Sequence, residues 1–203
     1  MLSEPEILAE VLARAPSLLK DVFEVFGSSN YHTHMLVKFQ SAMVVHAQRL
    51  AALFPTTPII VAYRDPADIL AAHFYEDKPP CAAQYRPGDK LGEAAATLPG
   101  GSDEDAGRRC VARLAATMDA ALALEDATFV DYSELPGAID DIAARCGLPT
   151  VNVSRVAGVD AKAGGGAYDA SRAATKRAAL PGELWAWAAP HLSPRYAALR
   201  RRK

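Results

Sequence analysis

Thr57-Pro58-Ile59-Ile60-Val61-Ala62-Tyr63-Arg64-Asp65-Pro66-Ala67-Asp68-Ile69-Leu70-Ala71-Ala72-His73-Phe74 joins a short apolar run directly to a helix start. Residues 59–63 are apolar and β-rich throughout, the pattern of a strand covered on both faces. Asp65 can cap the helix that follows, and Pro66 stands where the first helical residue belongs. Arg64 is therefore expected to project from the carboxyl end of a parallel strand, the edge at which open α/β sheets hold ligands. Beside the unpaired N–H groups of a helix start, an arginine suits a phosphate. The same arginine equally suits an ion pair with Asp65 or Asp68, and the stretch alone leaves both readings open.

Outward from this segment the chain alternates helix and strand patterns. Towards the N-terminus, residues 34–39 read as a strand and residues 42–54 as an amphipathic helix stopped near Pro55. Apolar spacing predicts helices over residues 7–14 and 17–26, with Ser3 and Glu6 placed as a capping box and residues 27–30 as a break. Towards the C-terminus the helix of Pro66 should run to about Tyr75. Residues 76–102 then lose periodicity among Pro79, Pro80, Pro87, Gly88, Pro99, Gly100 and Gly101. A loop of that length inside a compact domain is usually functional or disordered. Further expected elements are a helix over residues 103–124, a buried strand over 127–132, and a helix over 135–146 ended by Gly147 and Pro149. A glycine-rich loop at 161–167 and two terminal helices over 169–180 and 181–199 complete the layout. Strands separated by helices imply an α/β chain with a parallel sheet and right-handed crossovers.

Composition narrows the function classes. A chain of 203 residues is expected to form one domain, residues 1–203, around one good core. Half the residues are hydrophobic and 23% are charged, ordinary values for a globular protein. A net charge of −2 argues against broad nucleic-acid binding. No apolar run approaches the ~20 residues needed to cross a bilayer, and Met1-Leu2-Ser3-Glu4-Pro5-Glu6 lacks the basic and apolar regions of a secretory signal. Cys81, Cys110 and Cys146 are odd in number and far apart, which predicts reduced thiols in a cytoplasmic protein. His32 and His34 would share one strand face, but no carboxylate or cysteine pair accompanies them, so no metal is expected. His73 could face either the cleft beside Arg64 or the core.

Several pieces in this order resemble the P-loop sulfotransferase family, which moves a sulfuryl group from 3′-phosphoadenylyl sulfate (PAPS) to an acceptor hydroxyl or amine. Tyr63-Arg64-Asp65-Pro66 with Asp68 resembles the family's 3′-phosphate segment. Phe129-Val130-Asp131-Tyr132-Ser133-Glu134-Leu135, Ile142 and Cys146-Gly147-Leu148-Pro149 resemble its strand, corner and helix end. Leu2-Ser3-Glu4-Pro5 resembles the segment after the P-loop helix, and Val37-Lys38 the lysine-bearing strand. Tyr168-Asp169, Lys176-Arg177 and Pro194-Arg195-Tyr196-Ala197-Ala198-Leu199 resemble the C-terminal helical pair. The resemblance covers nearly the whole chain. It implies a three-layer parallel sheet flanked by helices, of the P-loop nucleotide-hydrolase type, with PAPS as donor, no metal and a small-molecule acceptor held near residues 76–102.

By the same resemblance Glu4 stands where tyrosylprotein sulfotransferases carry a proposed base, although a first-turn glutamate also serves the helix dipole. Lys38 would stabilise charge on the phosphate or sulfonate, or is simply an exposed strand-end lysine. Lys162 would close over the 3′-phosphate from the glycine-rich loop, or is a solvated loop lysine. Three departures stand out. No phosphate-binding loop matches, and Gly164-Gly165-Gly166 lacks a following Lys-Ser/Thr pair. Ala72 occupies the place of a phosphate-binding serine, and Gln40 that of a histidine base. The expectation is an N-terminally truncated form of the fold whose native chain is longer. The alternatives are a rearranged strand order, or a non-catalytic remnant acting as a binding module whose sheet edge pairs with a partner chain, homo-oligomers included. A P-loop phosphotransferase is the remaining alternative, and it would need a Walker lysine that the sequence lacks.

Overall fold

The computed structural model describes residues 5–28, 31, 33–75, 90–99, 105–135, 137–149, 159–160, 166–167 and 171–202. These form a mixed α/β arrangement, mostly helical, around a small parallel sheet of two strands. Helix α1 spans Pro5–Arg14 and α2 spans Pro16–Gly27. Pro16 sits at the start of α2, where a missing N–H leaves no intrahelical bond unmade. Leu8, Leu12 and Leu19 bury their side chains with Met43 and Leu50 in an N-terminal cluster, against which Phe23 and Phe39 pack.

Residues 34–39, expected as a strand, carry no regular structure. The helix expected over 42–54 is divided into a 3-10 turn at Ser41–His46 and helix α3 at Ala47–Leu53. Strand β1, Ile60–Tyr63, and helix α4, Pro66–Tyr75, form as read from the sequence. Within the segment expected as a loop, helix α5 forms at Lys90–Ala96 and buries Leu91 and Ala95 against Ala112 and Ala116. Residues 76–89 and 100–102 of that segment lie outside the described residues.

Helix α6, Ala106–Leu122, is the central packing element. The Asp105 side chain accepts the Arg108 N–H at 2.9 Å, satisfying one of the unpaired donors of its first turn. Strand β2, Thr128–Asp131, pairs with β1 in parallel, Ile60 opposite Thr128 and Tyr63 opposite Asp131. Helix α7, Ile139–Arg145, ends as expected. Gly147 takes φ +64°, its N–H reaches the Ala144 carbonyl at 3.1 Å, and the Leu148 N–H reaches the Ala143 carbonyl at 2.8 Å. That paired closure satisfies the last carbonyls and needs the left-handed backbone that glycine adopts without strain. A two-residue hairpin of β3 (Val159–Asp160) and β4 (Gly166–Ala167) precedes helices α8 (Ser171–Ala178) and α9 (Gly182–Arg200).

The main core lies where α6, α9 and the two strands meet. Val111, Ala115 and Met118 of α6 pack with Ala188, Leu192 and Leu199 of α9, and Tyr63 and Phe129 supply the strand contribution. Gly107 lets the helices approach, since a Cβ there would stand 3.0 Å from a methyl of Leu184. Two expectations about the thiols separate. Cys146 is a free thiol, whereas Cys110 is disulfide-bonded rather than reduced. Spacing along the chain does not report distance in the fold, which is what a disulfide needs. No helix among the described residues is long and apolar enough to cross a membrane.

Candidate functional site

β1 and β2 are in register at their ends, so the next residue of each emerges at the same edge. Arg64 follows Tyr63 and Tyr132 follows Asp131, and the Arg64 guanidinium carbon lies 5.1 Å from the Tyr132 ring centroid. This is a cation–π contact at the carboxyl edge of a parallel pair. Asp65 caps α4, its Oδ1 accepting the Ala67 N–H at 2.8 Å. Arg64 Nε donates to Asp68 Oδ2 at 3.4 Å, the ion pair that the sequence had left as one of two readings. Arg177 of α8 then spans both carboxylates, 3.0 Å from Asp65 Oδ2 and 2.7 Å from Asp68 Oδ1. Two arginines thus share two aspartates at the start of α4.

Around this edge lies a cleft of about 720 Å³. Lys38 and Arg64, singled out separately in the sequence, both line it, as do His73 and Gln40. Arg113 and Thr117 of α6 line it too, while Val44, Leu91, Leu114 and Met118 supply apolar wall. No Asp or Glu lines the cleft among the described residues. Every described charged side chain lining it is cationic although the chain carries a net charge of −2. A concave site of one sign with low-dielectric walls concentrates ions of the opposite sign. Glu4 and Lys162 lie outside the described residues, so the structure brings together two of the four expected site residues.

Behind the cleft is a polar hub that the sequence did not announce. Asp131 is 2% exposed. Its Oδ1 accepts from the Ser133 N–H at 2.9 Å and the Ser133 hydroxyl at 2.8 Å, and its Oδ2 accepts from the Tyr196 hydroxyl at 2.7 Å. Arg200 Nε stands 3.9 Å from Oδ2. Burial pushes the Asp131 carboxyl up, but the Tyr196 and Ser133 hydrogen bonds and the Arg200 charge together hold it below the usual carboxylate range. Burial and the bond to Asp131 push the Tyr196 phenol well up. Tyr63 packs edge-on to Tyr196, centroids 5.9 Å apart, and its buried hydroxyl has no hydrogen-bond partner. Burial and the Asp131 charge raise its pKa, so the phenol stays protonated. One local signal was legible, an aspartate at a strand end with a serine two residues on, the pattern of an Asx turn. Arg113, Arg177 and Tyr196 carry no comparable local signal.

Among the described residues no group of three or more His, Cys, Asp or Glu side chains is placed to hold a metal ion. Compared with protein-family models, curated proteins and solved structures, the chain finds no match.

Proposed function

We propose that this chain binds an acidic nucleotide in the cleft beside Arg64 and is a sulfotransferase-like protein with PAPS as donor. The observation that carries the reading is the convergence of Lys38 and Arg64 on one cleft at the carboxyl edge of parallel strands, with no acidic lining residue among the described residues. Arg64 and Lys38 are the phosphate ligands, and the apolar wall takes the base or the acceptor. In transfer the bond between the sulfuryl sulfur and the bridging phosphate oxygen breaks. A new bond forms from sulfur to the acceptor oxygen or nitrogen, and the acceptor proton leaves to a base. The parallel pairing of β1 with β2 supports this reading.

Calorimetry with adenosine 3′,5′-bisphosphate, the spent form of the donor, tests it. Binding is expected, and Arg64→Ala should weaken it by ~1.5–3 kcal/mol, the scale of a charge-assisted hydrogen bond. Absence of binding, or equal affinity in the variant, refutes the assignment.

A second reading, a binding module without transfer activity, has its own support. Asp65 already caps α4, Arg64 already pairs with Asp68, and Ala72 offers no hydroxyl. Incubation with PAPS and a panel of phenols and amines separates the two, since a module binds the donor and leaves it intact.

A further inference from the structure

Four consecutive residues, Val61, Ala62, Tyr63 and Arg64, line the cleft. Side chains along a strand alternate between its faces, so a cleft touching all four follows the backbone edge of β1. Hydrogen bonding identifies which edge. The Thr128 N–H donates to the Ile59 carbonyl at 2.8 Å. Main-chain polar groups alternate in direction along a strand, so Ile59, Val61 and Tyr63 bond towards β2, while Ile60, Ala62 and Arg64 turn theirs away from it. β1 pairs with no other strand among the described residues. Such an edge is a template for a further strand.

The same cleft is also lined by Lys38, Phe39 and Gln40. Lys38 and Phe39 end the segment 34–39, whose strand-like composition has no strand partner among the described residues and whose Met35, Leu36 and Val37 are 42%, 72% and 44% exposed. The turn at Ser41–His46, helix α3 and then β1 follow it, a connection of the length that joins neighbouring parallel strands.

We propose that residues 34–39 are a strap that closes on the open edge of β1 as a third parallel strand when an anion enters the cleft, a step that rests on the anion-binding reading above. Phe39 is the anchor, held in the N-terminal cluster with its ring 6.5 Å from that of Phe23. Closure withdraws Leu36 from water and sets Lys38 beside Arg64 at adjacent strand ends. In the empty cleft the two like charges oppose this, the Arg64 charge being only partly offset by Asp68 at 3.4 Å. A bound phosphate or sulfate ester removes the opposition.

Amide hydrogen exchange on the full chain reads closure directly, with adenosine 3′,5′-bisphosphate as probe and calorimetry in parallel. At saturation, exchange at residues 35–38 and at Ala62 and Arg64 is expected to slow by about tenfold or more. Ala62→Pro removes an N–H that faces the cleft and spares those that face β2. It should keep the β1–β2 protection while the strap stays fast. If the probe binds and strap exchange does not change, the strap is overturned and the anion site stands. If the probe does not bind, the anion site falls, and the strap is judged without ligand. Lys38→Gln removes the opposing charge and should then slow strap exchange about tenfold in the empty chain. Exchange equal to that of the unmodified chain overturns closure as well.

Discussion

Replacing Tyr196 by phenylalanine removes one atom from the Asp131 hub and leaves the edge-on ring packing against Tyr63 in place. The lost hydroxyl donates at 2.7 Å to a carboxylate that is 2% exposed. Oδ2 then keeps only Arg200, 3.9 Å away and beyond hydrogen-bond length. A buried charged acceptor deprived of one partner costs ~1.5–3 kcal/mol. For a chain of this size that is a fall of roughly 3–12 °C in Tm. Urea denaturation of the two proteins at pH 7 measures the difference. Its pH dependence carries a sign. Asp131 is held below its unfolded value, so the hub's contribution is complete above about pH 5 and fades as the pH falls through the folded value. The gap between Tyr196→Phe and the unmodified chain should therefore narrow at the lowest pH at which both stay folded. A loss under about 0.5 kcal/mol at neutral pH, or a gap that ignores acid, refutes the picture of a phenol serving a buried carboxylate.

Two further outcomes are expected. Gly107→Ala puts a Cβ 3.0 Å from Leu184 and from the capping oxygen of Asp105, so it should cost about 1–3 kcal/mol in urea melts, and a neutral result means that α6 and α9 are not in close contact there. Arg177→Ala releases Asp65 and Asp68 beside Arg64; titration with adenosine 3′,5′-bisphosphate should show affinity reduced by roughly 3–10-fold, from about 1 kcal/mol of uncompensated charge, and unchanged affinity contradicts the shared cluster.

The parts of this molecule visible in its sequence are those set by neighbours along the chain. β1, the cap of α4 and the Gly147 closure each depend on a few adjacent residues, and each forms as read. Arg64 could be placed at a strand end, yet its choice between a ligand and Asp68 depended on where α8 delivers Arg177. Helix α5 was hidden by the glycine and prolines around it, although Leu91 and Ala95 are spaced to share a face and bury together. Residues 34–39 have the composition of a strand, but a strand needs a partner backbone, which composition does not supply. The Asp131–Tyr196 bond joins residues 65 positions apart, beyond the reach of any local pattern.

Helix α9 is the last described element to be synthesised, and it holds the elements made before it. Arg195 grips Asp119 through two hydrogen bonds of 2.8 and 2.9 Å, Tyr196 holds Asp131, and Arg202 donates to the Leu124 and Glu125 carbonyls. While the ribosome works from residue 131 towards residue 195, β1, α6 and β2 exist without their lock. The nascent chain then shows bare Val111, Ala115 and Met118, and a carboxylate still awaiting its phenol. Contacts so distant in sequence form late and slowly. That interval, rather than the finished protein, is when its apolar surface is most open to misassembly.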